Sequence, residues 1–316
     1  MSTGEQGPGP LVIGVVGPTA SGKSELALRL AEELGGEVVG ADASQLYRGM
    51  DIGTAKLPVA ERRGIPHHQL DVLEVTEEAS VAAYQRHARA DIAAVRGRGS
   101  HPVLVGGSGL YVRAALDRLE IPPTDPVVRA RWEEVARTDG TEAVYAALAA
   151  RDPRAAALIE PNNRRRIVRA LEVIELTGRE FSAAMPQREY VLPTVVVGLL
   201  PPRAELDARI DARARHMWEA GLLTEVEALV ARGLRQGRTA SRALGYAQAL
   251  ARIDGLLTDA EAITETAAAT RRFARRQESW FRPDPRIHWA DPTRPGELDE
   301  VVATVARSVR ENGPRG

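Results

Sequence analysis

The 316-residue sequence contains no cysteine and only six histidines, which excludes disulfides and thiolate metal sites and leaves no histidine pattern typical of metal ligands. Its formal net charge is -1, so no overall positive field indicates nucleic-acid binding. No apolar run approaches the roughly 20 residues that a membrane-spanning helix needs. Residues 1–10 also lack the apolar stretch of a secretory signal. We therefore expect a cytoplasmic protein with no membrane association.

Lysine is nearly absent as well, since only Lys23 and Lys56 occur among the 42 basic residues. The composition otherwise uses arginine for positive charge, yet it keeps an ammonium group at position 23. A flexible ammonium suits a β- or γ-phosphate better than a planar guanidinium does. For Lys56, the sequence is equally compatible with a solvated surface position and with a functional role.

The first motif that is present is a phosphate-binding loop. Residues 17–24, GPTASGKS, fit G-x-x-x-x-G-K-[ST] and lie between the apolar run 11–16 and the helical pattern 25–34. Such a loop turns its backbone N–H groups and the positive end of the next helix toward phosphate oxygens. The Ser24 hydroxyl is expected to hold Mg²⁺. The predicted diphosphate-binding residues are Gly17, Pro18, Thr19, Ala20, Ser21, Gly22, Lys23 and Ser24.

A carboxylate, Asp42, ends the next predicted strand, Val38 to Asp42. Ligands of open α/β sheets bind at the carboxyl ends of the strands, so we expect Asp42 near the phosphate loop. It could assist Mg²⁺, act as a general base, or serve only as a helix cap or turn residue. The polar, turn-rich stretch 43–56 that follows is where a second substrate would be recognised.

These motifs, in this order, resemble one family. GPTASGKS followed by D-x-x-Q-x-Y-R-G-M-D-I-G-T-A-K is similar to the tRNA dimethylallyltransferases, which prenylate the exocyclic amine of the adenosine just 3′ of the anticodon. Ala43 departs from the usual serine, and Ser108 replaces a threonine but keeps the hydroxyl. Further similar segments occur, in family order, at 66–71, 102–111, 161–172, 213–226, 244–246 and 270–282.

The resemblance and the residue pattern together predict an α/β protein, with a P-loop NTPase-like parallel sheet core and an inserted all-helical domain. The core would comprise residues 11–120 and 194–312, and the tRNA-binding insertion residues 121–193. Residues 1–10 and 313–316 would be flexible termini. Helical periodicity in the insertion predicts helices over 126–137, 141–150, 154–159 and 164–176.

The resemblance implies transfer of a dimethylallyl group from dimethylallyl diphosphate to the N6 amine of that adenosine, releasing diphosphate, with Mg²⁺ as cofactor and without ATP consumption. Partners would be the tRNA anticodon stem-loop and dimethylallyl diphosphate, and a monomer is expected. The predicted catalytic residues are Lys23, Asp42, Ser108 and Arg213. The predicted tRNA-binding residues are Asp42, Ala43, Ser44, Gln45, Ser108, Arg129, Arg165, Arg166, Arg169, Arg242, Gly245 and Tyr246.

A second basic face is predicted near the C-terminus, where one side of a helix would carry Arg271, Arg272, Arg275 and Arg276. Trp280 and Phe281 follow; we interpret both as core residues, with stacking on nucleic-acid bases as the alternative. Two other functions stay open. A kinase using ATP would explain residues 11–42 but not the later arginine clusters. A non-catalytic RNA-binding module would retain RNA binding after Lys23→Ala.

Overall fold

A computed structural model describes residues 9–184 and 188–312 of the chain. The chain divides into two compact units. The first comprises the chain up to Leu116 and from Tyr190 onward, and the second is Asp117–Glu189. This second unit begins and ends four residues before the predicted insertion, residues 121–193. The predicted flexible termini lie outside the described residues, apart from Gly9 and Pro10.

The first unit is built on a six-stranded sheet in the order β3-β2-β4-β1-β5-β6, and every neighbouring pair is parallel. Valine- and isoleucine-rich strands of this kind are typical of parallel sheets with helices on both faces. The register pairs Ile13 with Val103 on one side of β1 and with Val195 on the other. The strands are β1 Val12–Val16, β2 Glu37–Gly40, β3 His67–His68, β4 Pro102–Gly106, β5 Thr194–Leu199 and β6 Ile287–Ala290.

Strand order explains why distant sequence motifs meet. β1 lies at the centre of the sheet, with β4 beside it and β2 beyond β4. The carboxyl ends of parallel strands share one edge of a sheet, so the segments after β1, β4 and β2 are neighbours there. β2 is shorter than predicted, since it ends at Gly40 and leaves Asp42 in the loop that follows.

Helices and short 3₁₀ turns account for most of the remaining chain. The helices of the first unit are α1 Lys23–Leu34, α2 Val81–Gly97, α3 Gly109–Leu116, α8 Arg203–Glu219, α9 Leu222–Ala231, α10 Tyr246–Ile253, α11 Asp259–Phe281 and α12 Glu297–Asn312. Those of the second unit are α4 Pro126–Thr138, α5 Gly140–Arg151, α6 Pro153–Leu158 and α7 Arg164–Thr177. The 3₁₀ turns are Val59–Glu61, Phe181–Ala184, Leu234–Gln236 and Ala240–Arg242.

Separate apolar clusters stabilise the parts of the chain. Ile13, Val15, Leu26 and Leu30 lie in the cluster around the central strands. A second cluster in the same unit includes Tyr47, Met50, Leu222, Val226 and Tyr246. The second unit has its own cluster, made of α4 to α7, with Val144, Leu148, Ile167 and Leu171 fully or almost fully buried. The four helices predicted there from periodicity are all observed, with ends shifted by one residue at most.

No helix in the described part of the chain is long and apolar enough to cross a lipid bilayer.

Candidate active site

The loop after β1 has the strained backbone that a phosphate-binding loop needs. Gly17 and Gly22 have φ values of 141° and 93°, where glycine carries no side-chain penalty. A side chain at Gly17 would also overlap the carbonyl of Leu199. Ala20 has a φ of 64°, a conformation that an L-residue adopts rarely and that the sequence did not indicate. The loop is thus held in a single turn that leads into α1.

Lys23, the first residue of α1, folds back over this loop. Its Nζ donates to the carbonyl of Pro18 at 2.6 Å. Burial lowers the pKa of Lys23 to about 8; the nearby Asp42 carboxylate opposes this shift, and the Arg213 guanidinium adds to it. The free site therefore holds two cationic side chains, Lys23 and Arg213, and one nearby carboxylate, Asp42. Such a site favours an anionic ligand.

Ser21 adds a buried donor to the loop. Its side chain is fully buried, and its hydroxyl has no hydrogen-bond partner among the described residues. A buried polar group without a partner is costly, and native proteins rarely keep one without a reason. A ligand with phosphate oxygens in the loop would satisfy this hydroxyl. This orphaned hydroxyl supports the prediction of a diphosphate site at residues 17–24.

Asp42 and Ser108 follow the neighbouring strands β2 and β4, and their loops are in direct contact. The Ala43 amide donates to Ser108 Oγ at 3.3 Å, and the Ser108 amide donates to the Ala41 carbonyl at 3.3 Å. Asp42 Oδ1 accepts from both the amide and the hydroxyl of Ser44, at 3.0 and 2.6 Å. The two residues predicted to contact the reacting groups therefore lie in loops that hold each other at the sheet edge.

Arg213 lies on α8 and is partly buried. Within the described residues it forms no ion pair, whereas Arg203 and Arg209 on the same helix do. Burial lowers its pKa from the ordinary value, while its charge disfavours protonation of Lys23. An unpaired, partly buried guanidinium beside the phosphate-loop lysine is available for an anion. The structure thus brings together Lys23, Asp42 and Arg213, which are separated in the sequence.

The stretch after Asp42 is fixed by residues that sequence reasoning missed. Glu225 on α9 accepts hydrogen bonds from the amides of Asp51, Ile52 and Gly53, at 3.1, 2.7 and 3.3 Å. The side-chain Nε2 of Gln45 in turn donates to the Thr54 carbonyl at 3.1 Å. Glu225 falls in a segment that resembled the family, but sequence alone gave no sign of its role. It orders the loop against which Gln45 is held.

Lys56 belongs to the same ordered loop. Its Nζ donates to the carbonyl of Tyr47 at 2.8 Å and to the carboxylates of Asp51 and Asp71 at 2.7 and 2.6 Å. Its side chain is only 3% exposed. The surface interpretation of Lys56 is therefore wrong, because two carboxylates neutralise its charge inside the protein. Its observed contacts stabilise the loop.

The three predicted tRNA-binding residues at positions 242–246 fall into two groups. Arg242 is exposed and has no side-chain partner among the described residues, as a phosphate contact requires. Tyr246 is completely buried, and its hydroxyl donates to Glu225 at 2.5 Å. Gly245 is also buried, with a φ of 85°, and its amide donates to Gln248. In this structure, Gly245 caps α10 and Tyr246 is its first residue, and neither offers a side chain to solvent.

The predicted arginines of the second unit also differ from one another. Arg129 and Arg169 both bind Glu172, which is completely buried, at 3.0 and 2.9 Å. Burial alone would raise the pKa of Glu172, but hydrogen bonds from Thr124, Arg169, the Asp125 amide and Arg129 lower it to about 2. Arg165 and Arg166 are exposed, and their side chains have no partner among the residues described. These last two are free to contact a phosphate backbone.

The second basic face lies on α11. Arg272, Arg275 and Arg276 are exposed there, whereas Arg271 forms an ion pair with Asp211. Phe281 is buried, which confirms its prediction as a core residue. Trp280 is 50% exposed, so its core interpretation is wrong. Its ring packs against Gly109, where an added Cβ would lie 3.1 Å from it, beside Ser108.

The described residues contain no group of three or more acidic or histidine side chains that could bind a metal ion by themselves. Mg²⁺ usually keeps several waters and takes one or two protein ligands together with substrate phosphates. Ser24 is exposed in the first turn of α1, beside the phosphate loop. The residues present therefore fit a magnesium ion that is bound jointly with a diphosphate.

A parallel α/β sheet with a phosphate loop after its central strand defines the class: an α/β protein with a P-loop NTPase-like fold. Within that class, the sequence matches the family described as IPP transferase over residues 45–284. The chain belongs to this family. The match covers the loop after Asp42, the insertion and α8 to α11, which the phosphate loop alone would not identify.

Named relatives of this chain agree with the family assignment. A tRNA dimethylallyltransferase of Kineococcus radiotolerans is 63% identical over 284 residues, covering 88% of this chain and 90% of the relative. One from Streptomyces avermitilis is 62% identical, covering 89% and 90%. The crystal structure of the full-length tRNA isopentenylpyrophosphate transferase from Bacillus halodurans is 37% identical, with a TM-score of 0.71 and coverage of 96% and 98%. A eukaryotic dimethylallyltransferase, crystallised acting on tRNA, shares the fold at 24% identity and a TM-score of 0.81.

Proposed function

We propose that this protein transfers a dimethylallyl group from dimethylallyl diphosphate to the N6 amine of the adenosine 3′-adjacent to the anticodon of a tRNA. The observation that carries this proposal is the meeting of Lys23, Arg213 and Asp42 at one edge of the sheet, in a chain of the IPP transferase family. Two cations suit a leaving diphosphate, and the carboxylate suits the proton that the amine must lose. The relatives named above are tRNA-modifying prenyl transferases, which agrees with both substrates.

The chemistry requires activation of the leaving group. An adenine amine is a weak nucleophile because its lone pair is delocalised into the ring. The C–O bond of the allylic diphosphate breaks, the diphosphate leaves with the electron pair, and a bond forms between N6 and the allylic carbon. Lys23, Arg213 and the loop amides would stabilise the negative charge that develops on the diphosphate.

Asp42 would take the proton that N6 releases. One of its oxygens, Oδ1, is occupied by the amide and the hydroxyl of Ser44. Among the described residues, nothing donates to Oδ2, so this oxygen remains available as a base. Ser108 Oγ, which accepts from the Ala43 amide, can still donate its own proton to the diphosphate or to the target nucleotide. In this proposal, Asp42 is the base and Ser108 is the hydrogen-bond donor on the side of the site where the adenosine binds.

Mg²⁺ is the proposed cofactor, with the Ser24 hydroxyl and the donor's own phosphates as ligands. When bound, it would neutralise part of the charge of the diphosphate. Asp42 is the other group in reach of that edge, but its contacts with Ser44 favour the role of base.

For tRNA, we propose that the exposed arginines bind the phosphate backbone. Arg165, Arg166 and Arg242 are exposed and without ion pairs in the described residues, and such groups supply most of the affinity for nucleic acid. Gln45, Ser44 and Asp42 would face the nucleotides near the target adenosine, which must leave its stack to react. A tRNA substrate also implies that the protein works in the cytoplasm.

The two other functions receive less support. A kinase would need ATP in the phosphate loop, and neither the family nor the named relatives favour it. A non-catalytic RNA-binding module would not explain why the Ser21 hydroxyl is buried without a partner or why Lys23 is desolvated.

The experiment is mass spectrometry of an intact, unmodified tRNA with adenosines after its anticodon, incubated with protein and Mg²⁺ and with either dimethylallyl diphosphate or ATP. The proposal predicts a gain of one prenyl unit with the diphosphate donor only. Turnover of ATP without prenylation would favour the kinase. RNA binding without any product would favour the binding module.

A further inference from the structure

Gln277 is a buried polar residue in the middle of the site that no functional prediction used. It is 4% exposed and lies in the last turns of α11. Its Oε1 accepts from the Thr19 amide in the phosphate loop at 2.8 Å. Its Nε2 donates to the carbonyl of Gly107 at 3.0 Å. One side chain thus joins the loop after β1 to the loop after β4.

The local structure is adapted to this bridge. Gly107 precedes Ser108, and a side chain at Gly107 would overlap the Gln277 amide nitrogen. Gly107 also lies close to the phosphate loop itself, because an added Cβ there would be 3.2 Å from the carbonyl of Gly17. Glycine at position 107 therefore provides the space into which the Gln277 side chain fits.

The helix that carries Gln277 is itself packed on the phosphate loop. Ala274, one turn before Gln277, is buried in a small cluster with Ala20 of the phosphate loop and with Leu206 and Ile210 of α8. α8 also carries Arg213. The ion pair between Arg271 and Asp211 further ties α11 to α8. α11 therefore holds together the phosphate loop and α8, the two elements that carry the proposed diphosphate-binding cations Lys23 and Arg213.

We propose that Gln277 is a positioning residue that fixes the phosphate loop relative to the Ser108 loop, and so sets the spacing between the diphosphate and the acceptor nucleotide. This inference rests on the proposed function of the site. Both hydrogen bonds of the Gln277 amide are needed: its carbonyl accepts from the Thr19 backbone amide and so holds the phosphate loop in place. Its NH₂ group holds the carbonyl next to Ser108. A glutamine is the simplest side chain that offers an acceptor and a donor at once.

A purely structural glutamine would lower stability but would not act through Ser108. Gln277→Met keeps the volume and removes both hydrogen bonds. The matched control is Thr266→Val on the same helix, because Thr266 is 2% exposed and its hydroxyl donates only to the carbonyl of Ala262 at 2.7 Å. Measurements are the melting temperature, kcat with both substrates saturating, the KM for tRNA, and the affinity for inorganic diphosphate by calorimetry.

We expect Gln277→Met to lower kcat roughly 10- to 100-fold, the effect of leaving buried groups unpaired, with diphosphate affinity reduced and the KM for tRNA within about twofold of wild type. In a Ser108→Ala background, the further loss should shrink to about threefold or less, because the two residues would act as a unit. Thr266→Val should keep wild-type kcat.

Three results would overturn the inference: an unchanged kcat, an equal loss in Thr266→Val, or the same fold-loss with and without Ser108. If Gln277→Met does not fold, Gln277→Asn, whose shorter side chain cannot span both loops, is measured in the same way. Failure of the wild-type protein to prenylate tRNA would refute the proposed function instead. The diphosphate calorimetry would still test the bridge.

Discussion

The Ser44 hydroxyl donates to Oδ1 of Asp42 at 2.6 Å, and the Ser44 amide donates to the same oxygen at 3.0 Å. Both hydrogen bonds go to Oδ1 and restrict the orientation of the carboxylate, and no hydrogen bond to Oδ2 is seen among the described residues. Charge-assisted hydrogen bonds of this kind hold a group firmly in one orientation. A base that must meet one amine proton gains from such fixation.

The first prediction follows from that geometry. Asp42→Asn should lower kcat by about 100-fold or more, because a positioned base commonly contributes this much. Affinity for inorganic diphosphate should stay close to wild type, since the amide leaves Lys23 and the loop in place. Single-turnover rates and calorimetry with the same preparation check both statements.

Ser44→Ala should lower kcat less than Asp42→Asn does. It keeps the carboxylate but removes the hydroxyl that fixes it, so we expect a loss of about tenfold in kcat, the size of one hydrogen bond to a charged group.

Full rescue of Asp42→Asn by raised Mg²⁺ would contradict the role of Asp42 as a base and would make it a metal partner.

The second prediction concerns pH. The pKa of Lys23 is about 8 in the free protein, so the side chain is charged below that pH and neutral above it. A bound diphosphate favours the charged form and raises this pKa. Binding above pH 8 must therefore take up a proton, and the affinity of the protein for diphosphate should fall as the pH rises through that value.

Calorimetry with inorganic diphosphate between about pH 7 and pH 10 tests this dependence. Lys23→Arg is the control, because a guanidinium stays charged throughout the range. Its affinity should be lower than that of wild type but should lack the step at the Lys23 pKa. An identical pH profile in both proteins would show that Lys23 is not the titrating group.

A third prediction separates donor binding from tRNA binding. Arg213→Ala should weaken diphosphate binding by roughly 10- to 100-fold, since one charge-assisted contact is lost, while tRNA affinity stays nearly unchanged. Arg209→Ala is the matched control, because Arg209 is on the same helix but exposed and paired with Glu205. The reverse pattern, with tRNA affinity lost, would assign Arg213 to the RNA interface.

The fourth prediction compares arginines within α7. Arg165→Ala and Arg166→Ala should each weaken tRNA binding and reduce the slope of log affinity against log salt by about one, as expected for a phosphate contact. Neither change should alter the melting temperature, because both side chains are exposed and unpaired in the described residues. An unchanged salt slope would remove them from the interface.

Arg169→Ala should behave differently. It removes one of the two arginines that bind the buried Glu172 carboxylate, while Arg129 remains. We expect the free energy of unfolding to fall by roughly 1.5–3 kcal/mol, the usual effect of losing a hydrogen bond to a charged group. In wild type, the stabilising effect of Glu172 is complete above its unfolded pKa and is lost as the pH falls toward about 2. Thermal unfolding followed by circular dichroism should show a lower melting temperature for Arg169→Ala at neutral pH. A wild-type melting temperature would contradict the structural role.

Much of this fold could be predicted from the sequence, because its signals are local. GPTASGKS encodes its own turn, since the two glycines have the positive φ values that the loop requires. The helices of the insertion follow from a 3.6-residue apolar period, and in the structure the Asp125 carboxylate caps the first of them, α4. The P-loop NTPase-like sheet was likewise indicated by buried apolar runs between helical patterns.

The parts that sequence missed depend on contacts between distant residues. The family resemblance makes Tyr246 a predicted tRNA-binding residue, and nothing in the sequence shows that its hydroxyl donates to Glu225 in the core. Lys56 was compatible with the surface until two carboxylates and a carbonyl were seen around its ammonium group. Trp280 is the penultimate residue of α11, yet it is 50% exposed, whereas the neighbouring Phe281 is buried. No local pattern encodes such partners.

The most direct test of the whole account is to identify the modified nucleoside itself. The tRNA would be treated with dimethylallyl diphosphate and Mg²⁺, digested to nucleosides and analysed by liquid chromatography and mass spectrometry, beside a tRNA whose adenosine after the anticodon is replaced by guanosine. The account predicts N6-dimethylallyladenosine from the first tRNA only, and none with Asp42→Asn over the same time. Prenylation of the guanosine-substituted tRNA, or full product with Asp42→Asn, would contradict it.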